Sequence, residues 1–260
     1  MLSVKTEIKS ISSILKALES YDGCEIDVRL TKDRILVLYH DVRHNGHKVV
    51  KANYRDLKNT RTLRELLDHP QTIKLINREA KTLWIEAKED TTKSFRKDLA
   101  LCQDFAHKLK EECANSELRL EKLRIISFCP EILKHIEGIR RLRIVPYLWM
   151  ATDWFIPHYN HKTIIQMFIS LRRHMQKTKQ MGIDGLLFSK LFLRGFFSRV
   201  QPSLEEVQSW ASEDFLLGTE AQTFEEEKAF KDFIVFTDYR GERERSRGEN
   251  AQPLICHRGI

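Results

Sequence analysis

The sequence predicts an α/β protein of the (β/α)8 TIM-barrel class, and three observations carry that expectation. Segments with strand patterning alternate with segments of helical periodicity along the whole chain, which implies a parallel sheet with crossover helices. The length of 260 residues suits such a barrel, whose typical size is about 250 residues. No linker-like stretch divides the chain, so residues 1–260 read as a single domain.

The elements follow in order. Residues 8–20 place Ile8, Ile11, Ile14, Leu15 and Leu18 on one helical face, and Asp22-Gly23 breaks that helix. Residues 24–30 alternate as a strand, and Thr31-Lys32-Asp33 makes a turn. Residues 35–39 are a nearly continuous apolar run, the pattern of a strand buried on both faces. A polar stretch spans 40–59, followed by a helix near 62–68 and a strand over 83–88. Residues 91–113 are amphipathic, with Phe95, Leu99, Cys102, Phe105 and Leu109 in line. Strands follow at 123–128, 142–149, 184–188, 215–219, 233–237 and 254–257; Pro146 marks a bulge or an end in the second of these. Helices fall at 130–136, 161–181, 204–212 and 224–230. This makes nine strand-like segments, one more than a barrel needs. We expect 184–188 or 215–219 to be the irregular one. The mixed-charge run 240–250 reads as a solvated loop or short helix.

Composition excludes several classes. Hydrophobic residues make up 42% and charged residues 31% of the chain, as in an ordinary globular protein, which excludes disorder and collagen. No apolar run approaches the roughly 18 residues of a membrane span, and the first residues lack the apolar stretch of a secretory signal. The net charge of +7 permits an anionic partner without choosing one. The clusters at 140–143 and 172–173 lie beside apolar stretches and read as solvated faces. Five cysteines, with no Cys-x-x-Cys pair, argue against a zinc site or a disulfide framework, so a cytoplasmic location is expected.

Glu25 and Asp27 stand two apart in a strand and therefore face one side. Carboxylates on an inner strand face are costly unless a cation compensates them. Glu86 and Lys88 repeat the spacing, and His40-Asp41 ends the run 35–39. Each motif alone is commonplace: an exposed Glu-x-Lys pair is frequent, and an isolated histidine is usually structural. Together, at the C-terminal strand ends where barrels build their sites, they are far more specific. Oxygen ligands suit hard cations such as Mg²⁺ or Ca²⁺. A cation beside a lysine and a histidine suits chemistry on a phosphate ester.

Residues 23–33, reading GCEIDVRLTKD, and 36–41, reading LVLYHD, resemble the glycerophosphodiester phosphodiesterase family. That family carries a Glu-x-Asp strand, Thr-Lys-Asp and a strand ending in His-Asp. Further likenesses run in the family's order: 62–67 to its short helix, 85–88 to its Glu-x-Lys strand, 126–128 to its Ser-Phe strand end and 236–239 to its Thr-Asp strand. The family opens with a strand ending in His-Arg-Gly, which is missing near Met1 and stands instead at 254–259, after the usual last strand. The order therefore resembles a circular permutation, with the usual first strand last in sequence. Residues 240–252, about 40 Å when extended, would serve as the return loop. A strand-swapped dimer is the other way to place that strand. Two family features are weakened here: Glu7-Ile8-Lys9-Ser10 keeps only part of one motif, and Leu217-Gly218-Thr219 stands where Trp-Thr is frequent.

The resemblance implies a metal-dependent hydrolase releasing an alcohol and glycerol 3-phosphate. Glu25, Asp27 and Glu86 would be ligands to one divalent cation, Mg²⁺ or Ca²⁺. His257 and His40 would form the acid/base pair, and Arg258 and Lys88 would hold the phosphate oxygens. The partner is then a small-molecule phosphodiester, with no nucleic acid expected. Two other readings are a barrel that binds phosphate ligands without hydrolysing them, and a lysophospholipase D-like enzyme touching lipid through the aromatic segment 192–197. The core-anchor reading of that segment is the simpler one.

Overall fold

The computed structural model describes residues 10–79, 81–88, 99–145, 170–193, 201–221, 223–230, 232–237 and 254–256. Helix α1 (Ile11–Ser20) is capped by the Ser10 hydroxyl, which accepts from the Ser13 N–H, and it buries Ile14, Ala17 and Leu18. It feeds strand β1 (Gly23–Leu30), which is buried along its whole length. A tight turn then reverses the chain into β2 (Leu36–Leu38). The polar stretch that follows holds a small hairpin, β3 (Arg43–His44) and β4 (His47–Lys48). Next come α2 (Leu63–Leu67), α3 (Pro70–Asn77) and β5 (Thr82–Ala87). Five residues are too few for a stable isolated helix, and α2 persists on a reciprocal cap between Thr62 and Glu65. The chain continues through α4 (Leu99–Ala114), β6 (Leu123–Ser127), α5 (Pro130–Lys134) and β7 (Arg140–Val145). The remaining elements are α6 (Leu171–Gln180), β8 (Gly185–Phe188), α7 (Leu204–Gln208), β9 (Leu216–Ala221), α8 (Phe224–Ala229), β10 (Ile234–Thr237) and β11 (Leu254–Cys256).

Eight of these strands are parallel, in the order β1-β5-β6-β7-β8-β9-β10-β11, and β11 pairs back onto β1 to close the sheet. The class expected from alternating strands and helices is therefore the one observed. The closing register sets Gly23 opposite Ile255 and Cys24 opposite Cys256. Gly23 is required at this seam: a Cβ there would lie 2.5 Å from the Thr82 carbonyl oxygen and 2.9 Å from Ile255 Cδ1.

The ninth strand-like segment is not the one anticipated. Both 184–188 and 215–219 contain regular barrel strands, β8 and β9. The supernumerary strand is β2, which runs antiparallel to the end of β1, with Val28 opposite Leu38 and Leu30 opposite Leu36. Its apolar run reports burial correctly but carries no information about direction. The helix α3 was not anticipated either; Pro70 at its first turn and Thr72, Leu75 and Ile76 on its buried side were the available signals.

Strand alternation sorts the core into two parts. The outer faces, including Cys24, Ile26, Val28, Leu83 and Ile85, pack under the helices. Within the barrel, Trp84, Ile126, Leu142, Leu187, Ile234, Phe236 and Ile255 form a separate apolar cluster. Trp84 meets Phe236 edge-on, with centroids 5.1 Å apart, and its indole N–H is satisfied by the Thr82 hydroxyl at 3.0 Å. Burying each large side chain of this kind contributes about 1.5–3 kcal/mol. The interior is thus a filled plug that leaves chemistry to the rim.

Candidate active site

The rim is built first by β1. With Cys24, Ile26 and Val28 committed to the outer core, alternation turns Glu25, Asp27 and Arg29 to the other face. All three are at most 5% exposed. The neighbouring strand β5 is in register, with Glu25 opposite Trp84 and Asp27 opposite Glu86. The ligand oxygens of Glu25, Asp27 and Glu86 consequently all lie within 4.8 Å of one another. Oxygens around one hard cation, each about 2.3–2.6 Å from it, span at most about 5 Å, so the three carboxylates fit a single ion.

Lys88 completes this cluster. Its backbone N–H donates to the Val28 carbonyl at 2.9 Å, extending the ladder past the end of β5. Its Nζ lies 2.9 Å from Glu86 Oε1 and 3.2 Å from Asp27 Oδ1. Burial raises the Glu86 carboxyl above its usual range; Lys88 opposes that rise, and the charges of Asp27 and Glu25 add to it. The Lys88 ammonium is pulled down by burial but held above its ordinary value by Glu86, Asp27 and Glu25. Among the described residues, three buried carboxylates gather at this ammonium, and burying charge of one sign costs several kcal/mol unless cations compensate it.

Antiparallel β2 brings His40 back to the same level. The Tyr39 N–H donates to the Asp27 carbonyl at 3.0 Å. The His40 carbonyl accepts from Arg29 Nε at 2.9 Å and from Arg29 Nη2 at 2.6 Å. His40 Nδ1 is 2.8 Å from Asp41 Oδ1. A carboxylate can only accept, so this contact holds a proton on Nδ1 and leaves Nε2 as the basic nitrogen of the neutral ring. The imidazole is about one-third exposed, with a side-chain accessibility of 33%.

Two further motifs acquire structural work. Thr31 Oγ1 donates to Asp33 at 2.7 Å and accepts from the Ile35 N–H at 2.9 Å, forming the turn between β1 and β2. Asp33 also accepts from the Tyr54 N–H at 3.0 Å, tying the turn to the loop beyond the small hairpin. At the end of β6, the Ser127 hydroxyl donates to the Ala87 carbonyl at 2.7 Å, bracing the residue between Glu86 and Lys88.

A family model for the glycerophosphoryl diester phosphodiesterase family matches residues 9–154. The chain belongs to this family. The matched stretch contains the acidic cluster, Lys88 and His40, while β11 lies beyond it. Membership makes the chain a glycerophosphodiester phosphodiesterase by kind. Solved structures share the fold at low identity. A glycerophosphodiester phosphodiesterase from Parabacteroides distasonis is 19% identical with a TM-score of 0.56, covering 97% of this chain and 88% of that one. A phosphodiesterase from Oleispira antarctica, in complex with its product sn-glycerol-3-phosphate, is 16% identical with a TM-score of 0.58, covering 88% and 86%. No curated protein matches the chain.

The family's sequence features thus gather Glu25, Asp27, Glu86 and Lys88 into one contact group. His257 and Arg258 lie outside the described residues, as do Asp238 and residues 194–197 of the aromatic segment. Thr237 donates to Glu227 of α8 at 2.6 Å, on the outer side of the barrel. Phe192, the one aromatic of the 192–197 segment among the described residues, is fully buried and edge-on to His174. The 172–173 cluster is a charged face, where Arg172 pairs with Glu206 at 2.7 Å. The 140–143 cluster is not the solvated face expected, because it lies on strand β7, where Arg143 is only 3% exposed and Arg141 pairs with Asp184 at 3.1 Å. No helix among the described residues is long and apolar enough to cross a membrane. Sequence reasoning passed over two residues beside His40, namely Arg29 and Asp41 in its contact role.

Proposed function

We propose that this protein hydrolyses glycerophosphodiesters to an alcohol and glycerol 3-phosphate, using one divalent cation, Mg²⁺ or Ca²⁺, at Glu25, Asp27 and Glu86. The observation that carries the reading is the buried three-carboxylate cluster around Lys88, at the C-terminal rim of a barrel belonging to this family. The donor set is three carboxylates within reach of one ion, and all-oxygen ligands suit a hard cation. When bound, the cation would polarise a phosphoryl oxygen and stabilise its charge as the ester bond breaks.

The chain's own residues supply the rest. Lys88 is a point charge for a phosphate oxygen, and Arg258 would add a planar fork. His40, with Nδ1 facing Asp41, presents Nε2 to take or give a proton. His257 would perform the complementary transfer: one histidine takes the proton of the neighbouring glycerol hydroxyl as its oxygen bonds to phosphorus, and the other protonates the departing alkoxide, leaving a cyclic phosphate. Water then adds at phosphorus with the proton roles reversed, and the ring P–O bond breaks to give glycerol 3-phosphate. Support for His257 comes from register. Cys256 is level with Cys24, one residue short of Glu25, and His257 is next in sequence. The same register supports a permuted strand order within one domain, because β11 occupies the position between β10 and β1.

The test is hydrolysis of a glycerophosphodiester with and without a chelator. Glu86→Gln should abolish turnover, and His257→Ala should reduce it by about 10²–10⁴-fold, with far-UV circular dichroism unchanged. Full turnover in either variant, or in the chelated wild type, would overturn the assignment.

A further inference from the structure

We propose that Arg29 is a positioning residue, clamping the backbone of His40 so that the imidazole meets the substrate in a fixed pose. The inference rests on the role of His40 given above and adds a residue to it. Arg29 shares the inward face of β1 with Glu25 and Asp27, two residues further along, and is only 5% exposed. A buried guanidinium persists only if charge-assisted hydrogen bonds offset its desolvation. Two of its nitrogens, Nε at 2.9 Å and Nη2 at 2.6 Å, converge on one acceptor, the carbonyl oxygen of His40.

That carbonyl sits at a place where the chain needs holding. β2 ends at Leu38, and the Tyr39 N–H makes the last ladder-like bond, to Asp27. From His40 onward the backbone leaves the sheet for the polar stretch. The imidazole is fixed from the side-chain end by Asp41 and from the main-chain end by Arg29. With both ends held, the direction of Nε2 is set before substrate arrives, and displacing a catalytic group by about 1 Å can cost about 10²-fold in rate. The pair of nitrogens also suits arginine specifically, since a lysine would place one ammonium where the guanidinium places two donors.

The experiment compares wild type, Arg29→Gln, Arg29→Met, His40→Ala and Arg29→Met/His40→Ala. Arg29→Gln keeps a donor and guards against loss of folding in Arg29→Met. Turnover of a glycerophosphodiester should fall in kcat by about 10²-fold in Arg29→Met, less in Arg29→Gln, with KM within about twofold of wild type. In the His40→Ala background, Arg29→Met should cause no further loss. Backbone hydrogen exchange over residues 39–45 should rise in Arg29→Met without a global change.

A rise in KM at constant kcat, or full multiplication of the two losses in the double variant, would overturn the proposal by making Arg29 a direct substrate contact. Unchanged exchange over 39–45 would overturn it as well. A wild-type protein without turnover would overturn the parent reading and this inference together. An active wild type with an indifferent Arg29 would overturn this inference alone.

Discussion

Asp33 shows how much of the site depends on a residue that never touches it. Its carboxylate is desolvated by the turn, which would raise its affinity for a proton. The Thr31 hydroxyl and the Tyr54 N–H more than reverse this and hold it below the ordinary aspartate range. A depressed carboxyl stabilises the fold above its unfolded pKa and loses that contribution as pH falls through the folded one. Asp33→Asn should therefore lower the thermal midpoint at neutral pH. Its gap from wild type should close as the pH drops below the ordinary aspartate range; calorimetry across pH checks the sign. The carboxylates Glu25 and Asp27 were legible at this scale because alternation in a strand is a strong signal. Arg29 was not, because its partner is a main-chain carbonyl, and a backbone acceptor leaves no mark in a side-chain pattern.

At the scale of elements, short pieces here survive on local chemistry. Helix α2 has five residues, yet it carries Leu63, Leu66 and Leu67 into the core. Its start is pinned by the Glu65 carboxylate accepting from the Thr62 N–H at 2.7 Å, reciprocated by the Thr62 hydroxyl. Thr62→Ala should cost about 1 kcal/mol, read as a shift in urea midpoint with unchanged slope. Glu65→Gln, which can still accept, should cost less. The elements the sequence hid are those whose signal was ambiguous in kind. Leu36–Leu38 is apolar whether it runs with or against its neighbour, and only the two-sided pairing of β1 decides. Helix α3 is half polar, with Gln71, Lys74 and Asn77 among its eight residues, so its periodicity is faint.

For the whole molecule, closure is the decisive property. Among the described residues, β1 is held on one flank by β5 over six residue pairs, and on the other by β11 over two and by the antiparallel β2 over three. A chain truncated before Leu254 would leave β1 and β10 each with an unsatisfied edge, the usual template for association. We expect such a truncation to lose its cooperative thermal transition and to elute as larger species, by calorimetry and size-exclusion chromatography. A monomeric, cooperatively melting truncation would show that seven strands suffice. The barrel class was readable because alternation and length are global quantities that single misread segments do not disturb. The seam was readable only through the motif at the far end of the chain.

That seam has a kinetic consequence. The partners Gly23 and Ile255 lie far apart in sequence, and contacts so remote are slow to form. During synthesis every other barrel strand emerges before Leu254 does. Closing β11 onto β1 is therefore expected to be a slow step of folding, and until it happens the sheet keeps two unpaired margins.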